Sequence, residues 1–403
     1  MEYEKFCRIT ELEKKYVDEV LETNFRSSSG AVMMQRLEKT FAKLIGKNYA
    51  VSFINGTETM HAVLEALGIG EGDEVIVPPL TMSSTSFAVL QSGATPVFAD
   101  VCEDSFLINP ESIKDNITDK TKAIIPVSLY GMMPKMDEIM DIAKNEGLFV
   151  LEDDAQCIGG TYKGKMAGAF GQASSFSFQS SKHLTSGEGG IIVTDDLELA
   201  QNVRKVSSLG YAGVDAGKGR ISKTDIQDPL YDRHVTMGWN YRMPELCAAV
   251  ALAQTERADV LINVRKNTGK QLYGVVEGCQ WLRPQYMEEE NENAYWSFSV
   301  KIDSQRVSWH SFRDKYMEFG GDGIYSAWKL TYLEPMFQNM SLLGREKKLT
   351  RGRDYYKKGL CPVAEILQPD ILQFKTNYWN KEDLDKQMFI LEKTISYFDG
   401  LGV

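Results

Sequence analysis

The chain has 403 residues, 43% hydrophobic and 25% charged, with 45 basic against 56 acidic side chains and a net charge of −11. That length exceeds one simple core and the composition is ordinary for a water-soluble protein, so two domains, or one with an appendage, are expected. The acidic balance, with no basic tract denser than Lys347-Lys348 and Lys357-Lys358, argues against nucleic acid or an anionic membrane surface as a partner.

Taken in chain order, Thr10 to Thr23 reads as a helix that packs on a smaller domain or on a partner. Asn55-Gly-Thr-Glu-Thr59 is a turn ahead of a second helix, whose Met60, Val63, Leu64 and Leu67 follow the i, i+3, i+4, i+7 rule. Strands are expected at Glu74–Pro78, Thr95–Val101, Ala123–Leu129, Leu148–Glu152, Ser174–Phe178 and Gly190–Thr194. Several are continuous apolar runs, as in strands covered on both faces. Pro134 to Glu146 is helical between them, with Met136, Ile139, Met140 and Ala143 on one side. Alternation of this kind predicts a mainly parallel α/β sheet with helices on both faces. Asp215 to Arg233 is polar and Gly-rich, a long loop of the kind kept for function or an interface. A helix opened by Pro244 follows. After about Asp259 the character changes to amphipathic helices, an aromatic strand at Tyr295–Ile302 and a charged helix near Ser311–Phe319. The expected organisation is an N-terminal helical segment over 1–25, a large domain over 26–259 and a small α+β domain over 260–403.

Six scattered cysteines without a C-x-x-C pair, and four histidines without ligand spacing, point to reduced thiols and no metal site. The acidic start Met1-Glu-Tyr-Glu-Lys5 has no apolar stretch of a signal peptide, and no apolar run reaches membrane-spanning length; a cytoplasmic location is the expectation.

Four segments carry chemistry. The Gly56-Thr57 turn at a helix N-terminus offers N–H groups, a hydroxyl and the positive helix end to a phosphate; an ordinary N-cap by Asn55 or Thr57 is the competing reading. Leu148-Phe-Val-Leu-Glu-Asp-Asp-Ala-Gln156 is an apolar strand ending in three acids, at the strand end where open α/β sheets bind ligands. Asp153 is the first that can turn inward; capping of the next helix is the alternative. Ser174-Ser-Phe-Ser-Phe178 alternates, with Phe176 and Phe178 on one face, and runs into a turn carrying Lys182. An amine presented there can capture a carbonyl. Gly238-Trp-Asn-Tyr-Arg-Met-Pro244 pairs an amide with a guanidinium and suits a phosphate reached across an interface, or simply a packed helix start. Gly68-Ile-Gly-Glu-Gly72 and Gly187-Glu-Gly-Gly190 precede strands rather than helices, which disfavours a dinucleotide enzyme.

In this order the segments resemble the DegT/DnrJ/EryC1/StrS family of sugar aminotransferases that use pyridoxal 5′-phosphate (PLP). The landmarks are Ile54-Asn-Gly-Thr57, Gly70-Glu-Gly-Asp-Glu-Val-Ile-Val-Pro78, Leu151-Glu-Asp-Asp-Ala-Gln156, Ser175-Phe-Ser-Phe178, Lys182-His-Leu-Thr-Ser-Gly-Glu-Gly-Gly190 and Gly238-Trp-Asn-Tyr-Arg242, spread over nearly the whole chain. The resemblance implies the α/β fold type I of PLP-dependent transferases, like aspartate aminotransferase, and a homodimer with active sites at the interface. It implies PLP as cofactor, alternating with pyridoxamine phosphate, an amino-acid donor and a keto-sugar acceptor. Lys182 matches the Schiff-base lysine, and Asp153 the partner of the ring nitrogen. Gln156 matches the residue beside the phenolic oxygen. Gly56, Thr57, the amide of Glu58 and Ser177 match the phosphate cradle. Asn240 and Arg242 match residues reaching the partner subunit's site. A lysine at 182, with histidine only as its neighbour His183, favours transamination over the dehydration carried out by relatives with histidine there.

Two departures from the family pattern stand out. Met82 occupies the position of the usual aromatic plate over the pyridine ring, and a thioether covers a ring with less planar overlap. Glu58 replaces a small residue; its side chain is expected to point away from the phosphate while its N–H still donates. In the segment Gly323–Phe337, Trp328, Lys329 and Tyr332 are candidate acceptor contacts, with a hydrophobic seam as the alternative, and His183 a weaker candidate. A nucleotide-linked keto-sugar is the first expectation for the acceptor and a keto-cyclitol of the scyllo-inosose type the second. A catalytically silent PLP-binding protein is the competing class.

Overall fold

Short apolar runs build a central sheet, seen in a computed structural model that describes residues 7–25, 32–217, 221, 224 and 227–400. Its strands are β1 (Tyr49–Phe53), β2 (Glu74–Val77), β3 (Thr95–Phe98), β4 (Thr121–Ile124), β5 (Phe149–Asp153), β8 (Ala173–Ser177) and β9 (Gly190–Thr194). A small hairpin, β6 (Thr161–Tyr162) and β7 (Lys165–Met166), lies between β5 and β8. The sheet order is β1-β9-β8-β5-β4-β2-β3. β3, β2, β4, β5 and β8 run parallel, while β9 is antiparallel to both β8 and β1. The carboxyl ends of β1, β5 and β8 and the start of β9 therefore share one edge, where ligands of such sheets bind.

The helices of this domain are α1 (Glu11–Glu22), α2 (Val32–Ile45), α3 (Gly56–Ala66), α4 (Ser84–Ser92), α5 (Pro110–Asp115), α6 (Met136–Glu146), α7 (Leu197–Ser207) and α8 (Glu245–Glu256). Phe176 and Phe178 leave β8 and its continuation on one face and meet Phe41 of α2 edge-on, with centroids 5.1 and 5.5 Å apart. Full burial of each such ring contributes about 1.5–3 kcal/mol. On the other face, α3, α4 and α7 supply Val63, Val89 and Val203 to the core. The strand expected at Ala123–Leu129 ends at Ile124, because Pro126 has no N–H to give to a ladder, and Leu129–Gly131 forms a 3-10 turn. β1 has no counterpart among the expected strands. Of the expected loop Asp215–Arg233, residues 218–220, 222, 223, 225 and 226 lie outside the described residues.

Helix α9 (Ala258–Val276) leads into the small domain. There β10 (Leu282–Pro284), β11 (Phe298–Ile302), β13 (Ile371–Phe374) and β12 (Tyr325–Ser326) form an antiparallel sheet in that order. α10 (Trp309–Glu318) and the C-terminal helix over Lys381–Gly400 pack on it through Phe312, Tyr316, Leu391 and Phe398.

Two parts of the expected organisation are corrected. The helix foreseen at Thr10–Thr23 forms, closed at its start by a capping box of Thr10 and Glu13. It packs on the large domain, not the small one: Tyr16 OH donates to Glu256 (2.7 Å), and Gln254 and Arg257 donate to Glu13 (both 2.6 Å). The chain after residue 260 does not stay in one small domain either. Leu330, Tyr332, Phe337, Tyr356 and Leu367 belong to the core of the large domain. Arg351 and Thr350 bind Glu74 at the start of β2, through hydrogen bonds of 2.9 and 2.5 Å.

Candidate active site

The first corner of the site is the β1–α3 turn. Asn55 is extended and its Oδ1 accepts from Glu58 N–H at 2.9 Å, so the N-cap reading holds here. Glu58 N–H is thereby taken, which corrects the expectation that it donates to a phosphate. The N–H groups of Gly56 and Thr57, in the first turn, have no acceptor within the helix. This turn lies close against β9. A Cβ at Gly190 would come within 2.4 Å of the Asn55 carbonyl, so only glycine fits there. The Glu58 carboxylate turns away from the site, as expected, toward Gln91 Nε2 (3.2 Å) and His61 Nδ1 (3.5 Å).

At the end of β5 the three acids separate. Glu152 accepts from the N–H groups of Gly168, Phe170 and Gly171 at 3.2, 2.9 and 2.6 Å and fixes that loop. Asp154 takes the hydroxyls of Ser128 and Ser174, at 2.6 and 2.7 Å, inside the fold. Asp153 alone faces the pocket, accepting from Thr85 Oγ1 (2.7 Å) and Ala155 N–H (3.3 Å). Burial raises its carboxyl above the ordinary range, with Thr85, Ala155 and the charge of Lys182 opposing that rise.

Lys182 closes a turn after β8, its N–H donating to Gln179 O at 2.9 Å. Its amine lies 4.7 Å from the centre of the Trp296 ring. Burial brings the amine down to about 8; Asp153 and Glu188 push it up, and Arg265 pushes it down. The pocket between these corners has a volume of about 350 Å³ and is lined by Gly56, Thr57, Met82, Asp153, Gln156, Ser177, Lys182, Glu188, Trp296 and Trp328, among others. Gln156 Oε1 is engaged by Tyr130 N–H (2.9 Å), which leaves its amide NH₂ as the group free to donate.

Sequence-predicted residues outside this pocket are also clear. His183 is buried, with Nε2 donating to Ala294 O at 2.9 Å and its pKa driven well below the ordinary value by burial. It is a core histidine rather than a substrate contact. Tyr332 is fully buried, tilted against Phe98 with its hydroxyl on Glu365, because the segment around it is absorbed into the large-domain core. Lys329 is exposed and does not line the pocket. Asn240 and Arg242 lie beside the β1–α3 turn, with Ile54 N–H donating to Tyr241 O at 2.8 Å, yet neither lines this chain's pocket. Three contributors escaped the sequence reading. Thr85 carried no signal in the sequence. Trp296 read as part of a small-domain strand, and it donates from Nε1 to Ser181 O at 3.0 Å. Arg265 had a signal: it falls on the apolar face of α9 with Leu261, Thr268 and Leu272.

A family model for the DegT/DnrJ/EryC1/StrS aminotransferase family matches residues 7–365. The chain belongs to that family. It is 40% identical over 258 residues to GDP-perosamine synthase of Escherichia coli O157:H7, covering 64% of this chain and 66% of that relative, so the match spans about two thirds of the relative's length. It is 35% identical over 291 residues to the spore coat polysaccharide biosynthesis protein SpsC of Bacillus subtilis, covering 72% and 73% of the two chains. The aminotransferase from Psychrobacter cryohalolentis has a similar structure, with a TM-score of 0.86 and 28% identity over 98% of this chain and 100% of that one. The fold is thus that of the PLP-dependent aminotransferases of fold type I, and PLP is the cofactor of the family. The residues present fit it. Asp153 is a buried carboxylate in want of a cation, such as a protonated ring nitrogen. Lys182 has an amine that is neutral in part near neutral pH. Gly56 leaves a cradle in which a Cβ would sit 3.1 Å from Ser177 Cβ.

Proposed function

We propose that this aminotransferase moves an amino group from glutamate or glutamine to a nucleotide-linked keto-sugar in the biosynthesis of a polysaccharide. The observation that carries the catalytic part is the meeting of Lys182 and Asp153 in one pocket with the glycine cradle at Gly56. PLP supplies an electron sink for the carbanion formed when the donor loses its α-proton. Asp153 keeps the ring nitrogen protonated. Gly56, Thr57 and Ser177 would hold the phosphate. Lys182, neutral in part through its lowered pKa, would carry the proton, and the Gln156 amide NH₂ would donate to the phenolic oxygen. Met82, in the pocket lining, is the residue that would cover the ring.

The acceptor class is supported by the relatives named above and by space. A second cavity of about 490 Å³ adjoins the pocket and shares Ser181, Trp296 and Trp328 with it. The Trp296 and Trp328 rings stack with centroids 5.9 Å apart and form the wall between the two. Of Trp328, Lys329 and Tyr332, on which a keto-cyclitol acceptor rests, only Trp328 lines the pocket, which weakens that reading. A homodimer is part of the proposal. Asn240 and Arg242 reach toward the partner's phosphate site, and exposed Leu230, Val235 and Met237 in the preceding segment suit an interface.

The test is a two-stage assay. PLP-loaded protein mixed with glutamate should shift its visible absorbance to that of the pyridoxamine form and release 2-oxoglutarate. Addition of a GDP- or dTDP-linked 4-keto-6-deoxysugar should restore the first spectrum and yield an amino-sugar by mass. Binding of PLP without the first shift supports the silent reading instead; a shift without turnover of any nucleotide-linked ketone overturns the acceptor class.

A further inference from the structure

Arg265 stands on the buried face of α9, 2% exposed, in a position where an arginine normally requires an acid. Among the described residues no carboxylate meets it. Its guanidinium is instead spent on neutral acceptors from three separate segments. Nη2 donates to Ser181 O at 2.7 Å and Lys182 O at 3.2 Å; Nη1 donates to Trp296 O at 2.8 Å and Thr376 Oγ1 at 3.2 Å. Thr376 in turn donates to Tyr295 O at 2.6 Å, and Trp296 Nε1 donates back to Ser181 O at 3.0 Å. The result is a closed network joining the lysine turn of the large domain to the first residues of the small-domain sheet.

We infer that Arg265 is a positioning residue for the aminotransferase reaction: it locks the Lys182 turn to the Trp296 backbone and supplies an unneutralised positive charge at the Lys182 carbonyl. Both halves follow from the same choice of partners. Carbonyl and hydroxyl acceptors fix the planar fork in place without cancelling its charge. A carboxylate in their place would hold the guanidinium as firmly but leave no net field at Lys182. The fixed Trp296 carbonyl sets where the indole ring lies, and that ring faces the Lys182 amine at 4.7 Å.

The groups acting on Lys182 come from every side of the turn. Asp153 on β5 and Glu188 in the loop before β9 favour its charged form. Arg265 on α9 opposes it, and Arg8, whose Nη2 donates to Lys182 O at 2.9 Å, is a second cation on the same carbonyl. His183, the chain neighbour, is buried and held neutral. Arg265 itself is lowered to about 9 by burial and by the nearby Arg8. It therefore remains charged across neutral pH.

The experiment compares wild type with Arg265→Met and Arg265→Lys as PLP-loaded proteins, titrating the visible absorbance against pH and measuring PLP loss on dialysis. Arg265→Met removes the charge and should raise the titration midpoint by at least roughly half a pH unit, because a nearby cation disfavours protonation. Arg265→Lys keeps the charge but has three rotatable donors in place of the planar fork. Its midpoint should stay near wild type while PLP is lost several-fold faster and Trp fluorescence changes. An unchanged midpoint in folded Arg265→Met overturns the electrostatic half. Unchanged PLP retention and fluorescence in Arg265→Lys overturns the tether, and should the methionine variant not fold, Arg265→Gln, which also lacks the charge, reads the electrostatic half. The spectral readout rests on the cofactor reading. If wild type shows no visible band, that reading has failed separately, and acylation of Lys182, followed by peptide mass across pH, still reads the charge of Arg265.

Discussion

Lys182 carries a buried amine in the site, and its effect on stability with pH has a definite sign. Burial lowers it from an ordinary value of 10.5 to about 8, so between those values the unfolded chain binds more protons than the folded one. Stability of the PLP-free protein therefore rises with pH through that window and carries its full penalty below about pH 8. Lys182→Met removes the buried charge. Thermal melts of the two PLP-free proteins should show the variant more stable at pH 7, with the gap closing as the pH approaches 10. A gap that is constant with pH would mean that the amine is not desolvated in the folded state. The adjacent acids illustrate the same point about environment. Glu152, Asp153 and Asp154 are chemically near-equivalent in the sequence, and only their partners divide them into a loop anchor, a pocket carboxylate and a hydroxyl-bound core acid.

Among the elements, α2, α7 and β1 are joined by a buried ion pair that has no role in the pocket. Glu38 accepts from Ser52 N–H (2.9 Å), Ser52 Oγ (2.7 Å) and Arg204 Nη2 (2.6 Å), with Arg204 only 2% exposed. Removing one partner strands the other. Glu38→Ala should cost about 3–5 kcal/mol in denaturant melts, whereas replacing both residues by apolar ones of similar volume should cost less than the sum of the single changes. Additive losses would show that the pair is not coupled. Why β1 was not legible in the sequence follows from this contact. Tyr49-Ala-Val-Ser-Phe53 is short and interrupted by Ser52, and what makes that serine acceptable in a buried strand is an acid on α2 that no local pattern reveals. The apolar runs within β2, β3, β5 and β9 could be read directly, because their buried polar residues stand at or near the strand ends. Likewise Asp153 and Lys182 announced themselves by strand-end position, whereas Tyr332 was misjudged because aromatic residues in an irregular segment look the same whether they face a ligand or a distant core. Thr85, Trp296 and Arg265 gain their roles only when segments far apart in the chain meet.

For the whole molecule, Asn240 and Arg242 stand near the pocket without lining it. The segment that carries them is hydrogen-bonded to the β1–α3 turn through Ile54 and Tyr241, so it is held at the rim of the site; its functional side chains are nonetheless absent from this chain's own pocket lining. In the proposed twofold dimer the same rim would face its counterpart, and Asn240 and Arg242 would meet the partner's site. This arrangement has a consequence that a self-contained monomer cannot reproduce. Lys182→Ala and Arg242→Ala homodimers should each be nearly inactive. When they are unfolded and refolded together in equal amounts, half of the dimers are mixed, and each mixed dimer carries one doubly altered site and one fully intact site. Activity should recover to about a quarter of the wild-type level, set only by the statistics of pairing. Sedimentation of the mixture gives the dimer fraction independently. Dimers that form without recovery would place Arg242 in its own chain's site, and a monomer that is fully active would remove the interface from the reaction altogether.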